Sequence, residues 1–171
     1  MFRIDADDLS WINGSPDDPS DHCLHGHAVA KVGERTLEYN ATVSATALYL
    51  LKSLTEDHIA GKDLQMLPCC GFSIYADDDL QNVTIVGCNS GIDWSVLHEG
   101  DEVRIVLEDG YSVTVPHDEY RREVFAFADK IEAFYDACSP KEDREDEFEQ
   151  AGYTAFWREW HKRRDAHSPV G

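Results

Sequence analysis

The sequence predicts an α+β fold: a mostly antiparallel sheet of about six to seven strands in hairpins and a meander, with helices packed on one face and a helical C-terminus. Three observations predict it. Short runs of period-two alternation recur between turn residues, a stretch of period 3.6 follows Pro116, and the order is strands and a helix, then strands, then helices. A chain of 171 residues suits one domain over 1–171. Within it the pattern separates an N-terminal arm and loop (1–22), an α+β core (23–138) and a helical C-terminal extension (139–171).

In the arm, Trp11 and Ile12 are expected to pack back onto the core. Residues 14–22, GSPDDPSDH, hold two prolines, a glycine and three aspartates and read as a loop. From His25 the text HGHAVAKV alternates His25, His27, Val29 and Lys31 against Gly26, Ala28, Ala30 and Val32. Gly33-Glu34 turns the chain and RTLEYNA returns, which makes a hairpin. Residues 44–57 carry Leu48, Leu51 and Leu54 at helical spacing. Pro68 and Gly71 bracket the adjacent Cys69 and Cys70 in an irregular stretch. Strands follow near Phe72, Asn82, Asp93 and Glu102, and YSVTVP comes after Asp109-Gly110, whose glycine supplies the positive φ of a tight turn. Beyond Pro116, Tyr120, Val124, Phe127, Ile131, Phe134 and Cys138 are spaced four, three, four, three and four, the stripe of an amphipathic helix. KEDREDEFEQ begins a second helical segment that Gly152 is expected to interrupt. Phe156 and Trp160 then share a face, and Arg163 and Arg164 sit where cations complement the helix dipole.

Charge narrows the function. With 34 acidic against 15 basic residues, the net charge is −19. Such a surface repels nucleic acid and anionic lipid and attracts a basic protein partner, unless the acidity serves only solubility or salt adaptation. No stretch approaches the ~20 apolar residues of a membrane span. The N-terminus lacks the apolar run of a signal peptide, so the expected location is the cytoplasm, with the five cysteines reduced.

Candidate chemistry concentrates in Asp21-His22-Cys23-Leu24-His25-Gly26-His27. On a strand His25 and His27 point to one side, and His22 or Asp21 can supply a third ligand to zinc or another divalent transition metal. A second half-site must come from Cys69, Cys70, Cys88, His58, His98 or His117, and no spacing selects among them. The alternative is a polar strand edge with Cys23 as a small buried hydrophobe. Cys69 or Cys70 can also be a reactive thiolate if a base lies nearby. Gly87-Cys88-Asn89-Ser90-Gly91 fails the spacing of a nucleophile elbow, and Asp77-Asp78-Asp79 lacks the alternation of a calcium loop. Asp93, Trp94, Glu99 and Asp101 offer an acidic and aromatic set for partner binding.

The segments LSWINGSPDDPSDHCLHGH, QMLPCCGF and GCNSGIDWSVLHEGD resemble those of a family of small, uncharacterised bacterial proteins with no established activity. The resemblance spans most of the chain and ends in AFWREWHKRR. It implies a compact bacterial cytosolic protein, a population that includes immunity proteins of toxin systems, and it implies no catalytic residues. The leading expectation is therefore a non-enzymatic binding protein, without a cofactor, that neutralises a cationic toxin or partner. The alternatives are a metal-binding protein or hydrolase built on His22, His25 and His27, and a homodimer formed through the C-terminal helix.

Overall fold

The computed structural model describes residues 1–166, so the last part of the expected extension, 167–171, lies outside the described residues. Phe2, Ile4 and Ala6 are buried and alternate with exposed Arg3 and Asp5, and this alternation makes Phe2–Ser10 a strand, β1. The expected arm is thus part of a sheet. Asp5 and Asp7 take outer positions of the strand, and Asp8, at φ +50°, lies where the pairing register shifts between Asp7 and Ser10. β1 pairs antiparallel with β2 (His25–Val32), and β2 with β3 (Arg35–Ala41), in the order β1-β2-β3. Ala28, Ala30 and Val32 continue the buried face. After β1, Trp11 is buried as expected, but Ile12 is 74% exposed because its backbone is held by the Asp21 carboxylate at the surface.

Helix α1 (Val43–Lys52) follows without a break, and every residue from Val43 to Leu51 is buried. A helix apolar on all sides belongs in the interior, and α1 lies against β2, the two later helices and a short strand, β4 (Leu67–Pro68). The hairpin β5 (Ser73–Ala76) and β6 (Val83–Val86) comes next, then β7 (Gly91–Ile92), which pairs with β4. The meander is completed by β8 (Trp94–Glu99), β9 (Glu102–Leu107) and β10 (Ser112–Pro116), with β9 central and Gly110 at φ +84° in the turn. Among the described residues all pairings are antiparallel, and ten strands form four small sheets.

Helix α2 (His117–Ala137) buries Tyr120, Val124, Phe127 and Ile131 of the stripe anticipated from spacing, together with Ala128 and Tyr135, while Phe134 and Cys138 are only partly buried because the buried face turns toward Tyr135 in the last turns. The last helix, α3 (Glu147–Asp165), is capped by Asp146, whose Oδ1 accepts from the backbone of Phe148 and Glu149 at 2.9 Å each. Residues 141–146 are not helical, and α3 runs through Gly152 uninterrupted. A Cβ at that position would lie 2.1 Å from the Ile74 carbonyl oxygen. Gly152 is there to let α3 touch the β5 backbone, a close approach that outweighs its poor helix propensity.

Candidate partner-binding groove

His25 and His27 do share a face of β2, as alternation required, but His22 goes elsewhere. Its Nδ1 lies 3.1 Å from the Ser20 carbonyl, its Nε2 2.7 Å from that of Glu142, and its ring meets Tyr153 edge-on. Burial, reinforced by Arg144, pushes its pKa down. His27 Nδ1 contacts Asp7 Oδ1 at 3.2 Å, and burial also lowers the pKa of His25. Among the described residues no group of three or more His, Cys, Asp or Glu side chains is arranged to hold a metal ion. The metal half-site expected from His22, His25 and His27, completed by Cys69 or Cys70, therefore does not assemble. Cys23 is the small buried hydrophobe of the alternative reading, its thiol pushed up to about 12 by burial.

The set Asp93, Trp94, Glu99 and Asp101 divides between interior and surface. Trp94 is completely buried and Asp93 nearly so. Trp94 occupies the inward parity of β8 with Val96. Asp93 Oδ1 accepts from His58 Nε2 (2.9 Å), the Trp94 amide (3.0 Å) and the Met66 amide (3.1 Å), while Oδ2 accepts from Gly61 N (3.0 Å). Burial would raise this carboxyl, but the His58 hydrogen bond and the backbone amides outweigh it and hold Asp93 below the usual carboxylate range. The pair fastens the chain between α1 and β4 to β8 and offers no surface to a partner. Glu99 and Asp101 remain exposed, Glu99 bonded to Arg104 Nε at 2.6 Å.

The surface does hold an aromatic cluster, built from segments far apart in sequence. Phe72 is 68% exposed, Phe148 58% and Tyr75 44%, and the Tyr75 and Phe148 rings meet with centroids 5.5 Å apart. Together with Ile74, Tyr153 and His22 they line a groove of about 370 Å³ between β5 and the start of α3. Among the described residues these rings stay exposed, whereas the comparable apolar residues of α1 and α2 are buried. Glu149 is the carboxylate in the lining; Asp143, Glu145 and Glu147, near it in sequence, are exposed, as are Asp77, Asp78 and Asp79 after β5. Arg144 is the cation within the groove, and Glu149 faces it at 3.9 Å.

A larger cleft of about 600 Å³ runs along the outer face of β1 and β2 beside α2. Within it Lys130 pairs with Asp5 at 2.6 Å and His27 with Asp7, and Arg3, Lys31 and Glu123 complete its charged lining. Among the described residues no helix is long and apolar enough to cross a membrane.

Comparison with protein-family models, curated proteins and solved structures finds no match to the chain. The resemblance to small bacterial proteins accordingly assigns no role to any residue. Sequence reasoning missed the groove's rings because no local pattern links Phe72 to Phe148. The only signal was that Phe72 precedes a short strand and Phe148 opens a charged helix, positions where a large apolar side chain has no inward direction to take.

Proposed function

We propose that this chain is a non-enzymatic, cytoplasmic binding protein that engages a basic protein partner, in the manner of an immunity or inhibitor protein. The observation that carries the reading is the convergence of exposed Phe72, Tyr75 and Phe148 on one groove. Burying one such ring yields about 1.5–3 kcal/mol. Two or three rings give an anchor of useful affinity once association costs are subtracted. The carboxylates along 143–149 and 77–79 supply long-range attraction, which acts on association rate and on the choice of partner. Asp93 and Trp94 support the site only as interior structure. Glu99 and Asp101 are exposed at the β8–β9 turn, outside the groove's lining.

The test is an affinity pull-down from a bacterial lysate at low and high salt, with wild-type chain and a Phe72→Ala/Phe148→Ala double variant as baits. The expected result is a partner with a basic surface, retained by wild type at low salt, weakened at high salt and lost with the double variant. Equal retention by both baits, or a partner without a basic surface, refutes the reading. Concentration-dependent self-association abolished by the double variant refutes it in favour of a homodimer.

A further inference from the structure

We propose that Cys88 and Cys70 form a reactive thiol pair, in which Cys88 attacks a neutral hydroperoxide and Cys70 resolves the product into a disulfide. The inference is independent of the groove and rests on where the fold brings two distant loops. Cys70 follows β4 and Cys88 follows β6, 18 residues later. Gly87 lets them meet, since a Cβ there would lie 2.1 Å from the Cys70 carbonyl oxygen. At this contact the Cys88 amide donates to the Cys70 sulfur at 3.0 Å. A second tie, from the Cys69 amide to the Ser90 carbonyl at 3.1 Å, holds the other side of the same junction. Cys88 is exposed and Cys70 half-buried, with exposed Cys69 next to it in the chain.

The two thiols differ in the direction their acidity moves. Backbone hydrogen bonding at Ser90, then the neighbouring thiols of Cys70 and Cys69, bring Cys88 down to about 7. At Cys70 the Cys88 amide acts to lower the value, but burial and the adjacent Cys88 and Cys69 sulfurs raise it further, so it stays protonated. A thiolate that attacks beside a thiol that resolves is the division of labour such a reaction needs. The net charge of −19 selects the oxidant class, because it repels anionic disulfides and leaves neutral hydroperoxides unaffected.

The chemistry balances with the hydroperoxide as oxidant. The Cys88 thiolate attacks the terminal oxygen, the O–O bond breaks as the S–O bond forms, and the departing oxygen takes a proton from water to leave as an alcohol, or as water from hydrogen peroxide. The Cys70 sulfur then attacks the Cys88 sulfenic acid. The S–O bond breaks, hydroxide leaves with the Cys70 proton as water, and the S–S bond closes. The two thiols are oxidised by two electrons and the hydroperoxide is reduced by two. The bridge would close the base of the β5–β6 hairpin.

The experiment treats the reduced full chain with hydrogen peroxide, blocks remaining thiols with iodoacetamide and maps the products by mass spectrometry. The expected product is a Cys88–Cys70 cross-link in wild type and in Cys69→Ser. Cys70→Ser should instead accumulate a dimedone-trapped sulfenic acid at Cys88, and Cys88→Ser should give neither product while keeping the wild-type circular dichroism spectrum. At pH 6, iodoacetamide should modify Cys88 about fivefold faster than a single-cysteine peptide, the gain in thiolate being partly offset by lower nucleophilicity. The proposal is overturned if Cys88 reacts no faster than the peptide, if the cross-link omits Cys88, or if Cys69 replaces Cys70 in it.

Discussion

Replacing Asp93 with alanine removes one carboxylate and leaves four donors without their acceptor: His58 Nε2 and the amides of Trp94, Met66 and Gly61. Gly61 is near enough to the surface to find water, whereas the hydrogen bonds from His58, Met66 and Trp94 are buried. An orphaned buried donor costs about 1–3 kcal/mol, and here three buried donors lose one acceptor together. Asp93→Ala should therefore lose about 3–5 kcal/mol, a large part of the ~5–15 kcal/mol that holds a typical domain. Asp93→Asn, which keeps one acceptor oxygen, should lose about half as much. The pH dependence has a definite sign. The folded-state pKa of Asp93 is depressed, so its contribution is present above the unfolded value of ~3.9 and disappears as pH falls through the folded value. Urea unfolding followed by tryptophan fluorescence from pH 7 to pH 3 reads both effects. A cost below about 1 kcal/mol for Asp93→Ala, or parallel curves for wild type and Asp93→Asn below pH 4, would refute the reasoning.

Three other outcomes are expected. Gly152→Ala should destabilise by about 1–3 kcal/mol despite alanine's better helix propensity, because the added Cβ meets the Ile74 carbonyl; a rise in melting temperature would contradict the packing given for α3. Glu159 is fully buried and accepts from Val83 N (2.7 Å) and Arg163 Nε (2.7 Å), with Lys52 Nζ at 3.3 Å. Glu159→Ala should cost about 3–5 kcal/mol by denaturant titration, and Glu159→Gln clearly less. Phe72→Ala and Phe148→Ala should each change stability by no more than about 0.5 kcal/mol, with partner affinity, measured by isothermal titration, falling about tenfold or more per ring.

Elements defined by periodicity were legible in the sequence. The α2 stripe from Tyr120 to Ile131 and the β2–β3 alternation needed only local spacing, and burial follows them residue by residue. β1 carried the same signal in Phe2, Ile4 and Ala6, but the loop at 14–22 separates it from the body along the chain, so that a strand reads as part of an arm. Trp94 next to Asp93 looked like an exposed acidic and aromatic set, whereas strand parity turns the ring inward and the carboxylate is taken up by backbone amides. The histidine cluster misled for a related reason: proximity along the chain says nothing about direction, and His22 points to Glu142 while His27 points to Asp7. The groove itself depends on tertiary pairing of β5 with α3, which no short window of sequence contains.

The groove's walls also set a time order on the molecule. Its lining begins at His22, continues through 72–75 and ends at 144–153, so during synthesis from the N-terminus its last wall arrives more than sixty residues after the middle one. A nascent chain can fold β1–β3 and α1 and still display no complete docking face. Its rings from β5 would then be loose apolar side chains, open to a chaperone but not shaped for a partner. Completion of the groove thus doubles as a report that translation has reached α3, a timing set by chain topology alone.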